Sequence, residues 1–136
     1  MRAALVAISL AALTACSGGG GSAGSLCQAV GQIDGVGATF QGFDPTDREA
    51  ALDQLRPARV TLGNLLDKAP REVRADIQVE VDYLQALIDS LQAAKPGDPA
   101  DAVQRVQEVT DAHPKVAQAA AALQTFTTRE CSPSST

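Results

Sequence analysis

The chain has no tryptophan, one tyrosine, three phenylalanines and one histidine in 136 residues. With 3% aromatics, a core must be built from Leu, Ile, Val and Ala, whose small side chains let helices approach closely. A single histidine excludes the paired Glu-x-x-His repeats of bundle di-metal sites, and His113 has Thr110 rather than Glu three positions before it. Basic clusters are also missing. Eleven Lys and Arg against sixteen Asp and Glu give a net charge of −5, which phosphates repel, so nucleic acid is not an expected partner. Nor is there a basic patch to hold an anionic bilayer. No apolar run approaches the ~20 residues of a spanning helix. Phosphate-binding glycine loops are absent: Gly35-Val36-Gly37 is a lone G-x-G, and Gly18 to Gly21 precede no helical pattern.

What is present begins at the N-terminus. Met1-Arg2 forms a short positive region, and Ala3 to Leu13 is an apolar run of 11 residues, the size of a secretory leader's hydrophobic segment. It ends in Leu13-Thr14-Ala15-Cys16, which resembles the bacterial lipobox. The resemblance covers residues 1–16 and implies cleavage before Cys16, with acyl chains of the palmitate kind on that cysteine. Two such chains are about what stable anchoring requires. Ordinary secretory cleavage after Ala15 would put Leu13 where a small residue is preferred. The expected address is therefore the cell membrane, lipid-anchored on the extracytoplasmic face, with the membrane contacted through the N-terminal lipid.

Four segments follow: a signal peptide over 1–15, the lipidated cysteine with a Gly/Ser tether over 16–25, a domain over 26–131, and a tail over 132–136. The tether composition (SGGGGSAGS) is that of a flexible linker. With Cys16 assigned to lipid, Cys27 and Cys131 remain as an even pair in an oxidising compartment, and the expectation is a disulfide closing nearly the whole domain. A redox pair would favour a close Cys-x-x-Cys, and two cysteines without a second ligand cluster make no zinc site.

Within the domain, residues 26–34 predict a short helix with Leu26, Val30 and Ile33 on one face. Residues 35–43 predict an extended loop with Phe40 and Phe43 as plugs, the alternative being a short strand, for which no partner strand is evident. Asp44-Pro45-Thr46-Asp47 reads as a helix start with Asp44 at the N-cap and Pro45 at the first helical position. Leu52, Leu55, Leu62, Leu65 and Leu66 follow at helical spacing, with a kink or restart at Pro57. From Pro70 to about Lys95, Val73, Ile77, Val81, Leu84, Leu87, Ile88 and Leu91 form the most continuous stripe, so this helix is expected to be central. Lys95-Pro96-Gly97 stops it, and Asp98-Pro99-Ala100-Asp101 repeats the start signal. The last stretch carries Val103, Val106 and Val109, breaks or bends at His113-Pro114, and continues through Val116, Ala120, Leu123 and Phe126. The predicted fold is all-α: an antiparallel bundle of three to four helices, two of them proline-kinked, with the N-terminal segment stapled to the C-terminus.

This layout resembles small two-cysteine helical lipoproteins of actinobacterial type, a likeness that brings no activity with it. Glu72, Asp76 and Glu80, and likewise Asp82 and Asp89, read as a solvated charged face. His113 reads as a breakpoint residue; a catalytic role would need Asp111 or Thr110 to converge on it. No catalytic, cofactor-binding or metal residues are assigned, and no enzyme activity is expected. The expected role is that of an envelope protein with a non-catalytic bundle, structural or bound to another envelope protein. The alternative is an apolar ligand, such as a lipid, held between the helices.

Overall fold

The computed structural model describes residues 23–30 and 42–131. Five helices account for most of them: α1 (Ala23–Val30), α2 (Arg48–Lys68), α3 (Arg71–Ala93), α4 (Pro99–Ala112) and α5 (Val116–Cys131). The described residues contain no strand. The fold is an antiparallel helical bundle. α3 is its hub, packing against α2, α4 and α5, while α1 packs against α5 and α2.

The two D-P-x-D sequences start their helices differently. At 98–101 the Asp98 carboxylate accepts the Asp101 amide at 3.0 Å, and Pro99 occupies the first turn of α4, as the sequence predicts. At 44–47 the prediction needs correcting, because α2 starts three residues later. Its N-cap is Asp47, whose carboxylate accepts the Ala50 amide at 3.1 Å. Asp44 Oδ1 is held by both the amide and the hydroxyl of Thr46, at 2.9 and 2.6 Å. Thr46 supplies a hydroxyl where the second motif has Ala100, so the first acid is consumed inside the turn and the second becomes the cap.

Pro57 does not make α2 restart. It lies on the exposed face, so the carbonyl left without a partner is available to water, and the helix runs through to Lys68. Pro114 divides the last stretch into α4 and α5, which raises the helix count above the three to four expected. A residue before proline is driven out of the helical region, and His113 accordingly sits at φ −119°, ψ 60° as the C-cap of α4. α3 ends at Ala93 and the chain reverses at Gly97, whose φ of +74° suits glycine.

Side-chain contacts fix the levels along α3. Arg48 Nη1 donates to the Ala94 carbonyl at 3.0 Å, placing the start of α2 beside the end of α3. Tyr83, at mid-helix, meets Thr110 and His113 at the end of α4. Arg129, near the end of α5, pairs with Glu72 at 2.9 Å in the first turn of α3. α4 therefore lines the C-terminal half of α3 and α5 the N-terminal half.

No polar or charged residue is buried as a whole among the described residues, although Gln54 Oε1, Arg59 Nε and Arg74 Nε are covered without a hydrogen-bond partner. Leu55, Ile77 and Leu91 are completely covered, and alanines at 51, 58, 69, 94, 102 and 119 allow close packing. Each fully buried Leu or Ile stabilises the fold by roughly 1.5–3 kcal/mol relative to exposure.

α1 begins at Ala23, earlier than the short helix expected from Leu26, and its Leu26 and Ala29 enter the core. Phe43 packs against the core as a partly buried residue. Val36 and Phe40 lie outside the described residues, as do Ile33 and the side chain of Val30. Cys27 and Cys131 are joined by a disulfide with their Cα atoms 5.2 Å apart, stapling α1 to the end of α5.

Candidate binding groove

The hub helix carries a heptad-like stripe. Val73, Ile77, Glu80, Leu84, Leu87 and Leu91 are spaced four, three, four, three and four apart, the pattern that keeps one face toward neighbouring helices. Five of the six are buried apolar residues. The sixth is Glu80. It is half-buried rather than part of a solvated face, which corrects the reading of the acidic row.

Glu80 lines a groove of about 260 Å³ together with Leu62 from α2, Tyr83 and Leu84 from α3, and Val116 and Ala120 from α5. The groove lies where α4 gives way to α5. Its carboxyl pKa is raised, first because burial penalises the charge and second because Asp76, one turn earlier, is also negative. Among the described residues Glu80 has neither a hydrogen bond nor an ion pair.

Asp76 likewise has no hydrogen bond or ion pair among the described residues, while the remaining acids of the row are accounted for locally. Glu72 pairs with Arg129, which also lies 5.4 Å from the Phe126 ring centroid and bonds Glu130. Asp82 and Asp89 each accept from a glutamine four residues earlier, Gln78 and Gln85, at 2.7 and 2.8 Å. Glu108 and Asp111 repeat the arrangement with Gln104 and Gln107. These i, i+4 pairs mark helix faces open to water. No group of three His, Cys, Asp or Glu among the described residues could hold a metal ion.

His113 is half-buried, with Nδ1 2.7 Å from the Val109 carbonyl oxygen, so Nδ1 carries the proton and donates. Its ring lies 5.6 Å from that of Tyr83. Neither local candidate partner bonds to it: Thr110 Oγ1 donates to Val106 and meets Tyr83, and Asp111 takes Gln107. The structure therefore brings His113 to Tyr83, not to a carboxylate.

A second, polar cleft of about 430 Å³ lies at the end of the bundle where both D-P-x-D turns meet. The aspartates at this end of the bundle serve as caps and braces. Asp47 and Asp98 close their helices, while Asp101 accepts the Lys95 amide at 2.8 Å and Arg105 Nε at 2.9 Å. Those two bonds, the amide first, lower the Asp101 pKa.

Cys16 and the Leu13-Thr14-Ala15 sequence before it lie outside the described residues. No helix among the described residues is long and apolar enough to cross a membrane. No protein-family model, curated protein or solved structure matches this chain.

Proposed function

We propose that this chain is an exported lipoprotein, cut before Cys16, acylated there, and held at the extracytoplasmic face of the cell membrane, where its bundle acts by binding an envelope protein rather than by catalysis. The observation that carries the reading is the bond between Cys27 and Cys131. It joins two of the three cysteines and leaves Cys16 as the remaining sulfur, directly behind a secretory-type apolar run. A disulfide that closes a domain is at home in an oxidising, extracytoplasmic compartment. Chain geometry adds a bound. Seven peptide units separate Cys16 from Ala23, so the anchor lies within roughly 25 Å of the start of α1.

The test is intact-mass analysis of the protein extracted from its own membrane. The expected mass starts at Cys16, carries a diacylglyceryl group, and is two hydrogens lighter than the dithiol. Retention of residues 1–15, or an unmodified thiol at the head of the processed chain, would defeat the address. The apolar walls of the groove speak for a second reading, an apolar ligand. Native spectra of the same sample would reveal a retained lipid.

A further inference from the structure

We infer that the groove at Glu80 is a socket for one arginine side chain of a protein partner. The inference rests on the binding role proposed above and names the chemistry of the partner. Three features of the groove converge on that side chain. Leu62, Leu84, Val116 and Ala120 form an apolar wall that suits a methylene stem. Glu80 supplies a carboxylate that lacks a counter-charge among the described residues, and Arg pairs with carboxylates in a fixed two-pronged geometry. Tyr83, also in the lining, presents an aromatic ring of the kind a guanidinium stacks against.

Size narrows the choice. At about 260 Å³ the groove lies below the ~300–1,000 Å³ typical of small-molecule sites, and it suits one long side chain better than a lipid. Charge points the same way. The chain is acidic overall, with a net charge of −5, and Asp76 sits one turn from Glu80. A cation bound at Glu80 relieves both the burial and the like-charge repulsion that this carboxylate experiences. The stripe position also matters. Glu80 stands next to the buried Val81, at the edge of the apolar stripe, so its carboxylate lines the groove beside the core rather than interrupting it.

The test uses the mature lipoprotein in lipid nanodiscs, with methyl resonances of Leu62, Leu84, Val116 and Ala120 followed by NMR. The probe is n-propylguanidinium, the arginine side chain cut at its β-carbon. Saturable shifts confined to these methyls are expected. Glu80→Gln should weaken binding by roughly ten-fold or more, because a bond to a charged partner is lost. Ala120→Leu, at an exposed wall position, should block entry while leaving Glu80 in place. Neutral 1-pentanol should produce no saturable response. Binding that is unchanged in Glu80→Gln, shifts at methyls elsewhere in the bundle, or tighter binding of pentanol would overturn the proposal. Preference for n-butylammonium would overturn the arginine assignment in favour of lysine. The intact mass of the same sample reports the lipid independently, so failure of the groove and failure of the membrane address are read separately.

Discussion

Replacing both disulfide cysteines, Cys27→Ser with Cys131→Ser, tests how this small core is held together. The bond closes a loop with a sequence separation of 104. Chain-entropy reasoning gives about 4.7 kcal/mol for a loop of that size, a large part of the roughly 5–15 kcal/mol that holds an ordinary domain. Local terms say where the loss appears first. α1 is eight residues long and contributes Leu26 and Ala29 to the core. That burial is worth roughly 2–4 kcal/mol, against a backbone ordering cost of about 1 kcal/mol or more per residue. Without the covalent link α1 has little to hold it. The expected result in urea titration is a loss of about 4–5 kcal/mol, which lowers the midpoint by roughly 2–4 M. Hydrogen exchange should show α1 amides unprotected while α3 stays closed. A loss under about 1 kcal/mol with α1 still protected would refute the reasoning, because packing rather than the cross-link would then be holding the N-terminal helix.

Four further outcomes follow from the same contacts. Glu80→Leu, read by thermal unfolding, should raise stability by about 1 kcal/mol, since it replaces a half-buried carboxylate with an apolar side chain at the edge of the core stripe. The raised pKa of Glu80 fixes a sign: the folded state binds the proton more tightly, so stability should fall as pH rises from the ordinary 4.5 through the folded value. Glu80→Gln should flatten that fall, whereas Asp101, with a lowered pKa, contributes stability that is lost on acidification. Asp47→Ala should cost about 1 kcal/mol through loss of the α2 cap, and Asp44→Ala less, with exchange of the Ala50 amide as the local readout. Gly97→Ala should cost about 1–2 kcal/mol by calorimetry from backbone strain alone, since a Cβ there would meet no atom within 4 Å.

Much of this architecture can be read from the sequence because several signals agree at each point. The α3 stripe is long and unbroken, Lys95-Pro96-Gly97 stops it, and Asp98-Pro99 starts the next helix with a cap of the expected kind. The cysteine pairing follows once Cys16 is set apart. What the sequence obscures has specific causes. Asp44 and Asp47 are equally good caps on paper, and only the Thr46 hydroxyl decides between them. Pro57 and Pro114 look alike in one dimension, yet one sits on a solvent face of a continuing helix and the other separates two helices. Ala23-Gly24-Ser25 has linker composition, yet it opens a helix that carries Leu26 into the core and Cys27 into the disulfide. Glu80 belongs to two periodicities at once, the acidic row at four-residue steps and the apolar heptad. The heptad was available as a signal, but the α5 wall of the groove was not, because nothing local says where α5 resumes after Pro114.

That resumption can itself be tested. Thr110 on α4 bonds Tyr83, and Ala120 on α5 lines the groove to which Tyr83 also contributes, although ten residues separate them. A continuous helix would place them about 15 Å apart along the axis. The chain therefore steps at 113–115 before α5 resumes along the N-terminal half of α3, so the two do not form one continuous helix. If Pro114 alone imposed the step, Pro114→Ala would let the two helices fuse, carrying Arg129 away from Glu72 and pulling Cys131 from Cys27. Packing opposes this. Fusion would expose Phe126 and Ala119, now buried, and break the disulfide closure. The expectation is that Pro114→Ala keeps both helices in place and costs less than about 1 kcal/mol, mainly through a more flexible unfolded chain. The disulfide should still form, and the amides of residues 114 and 115 should be unprotected in hydrogen exchange. Protected amides at 114 and 115 with free thiols at 27 and 131 would instead make the proline the sole cause of the step, and packing against α3 only its consequence.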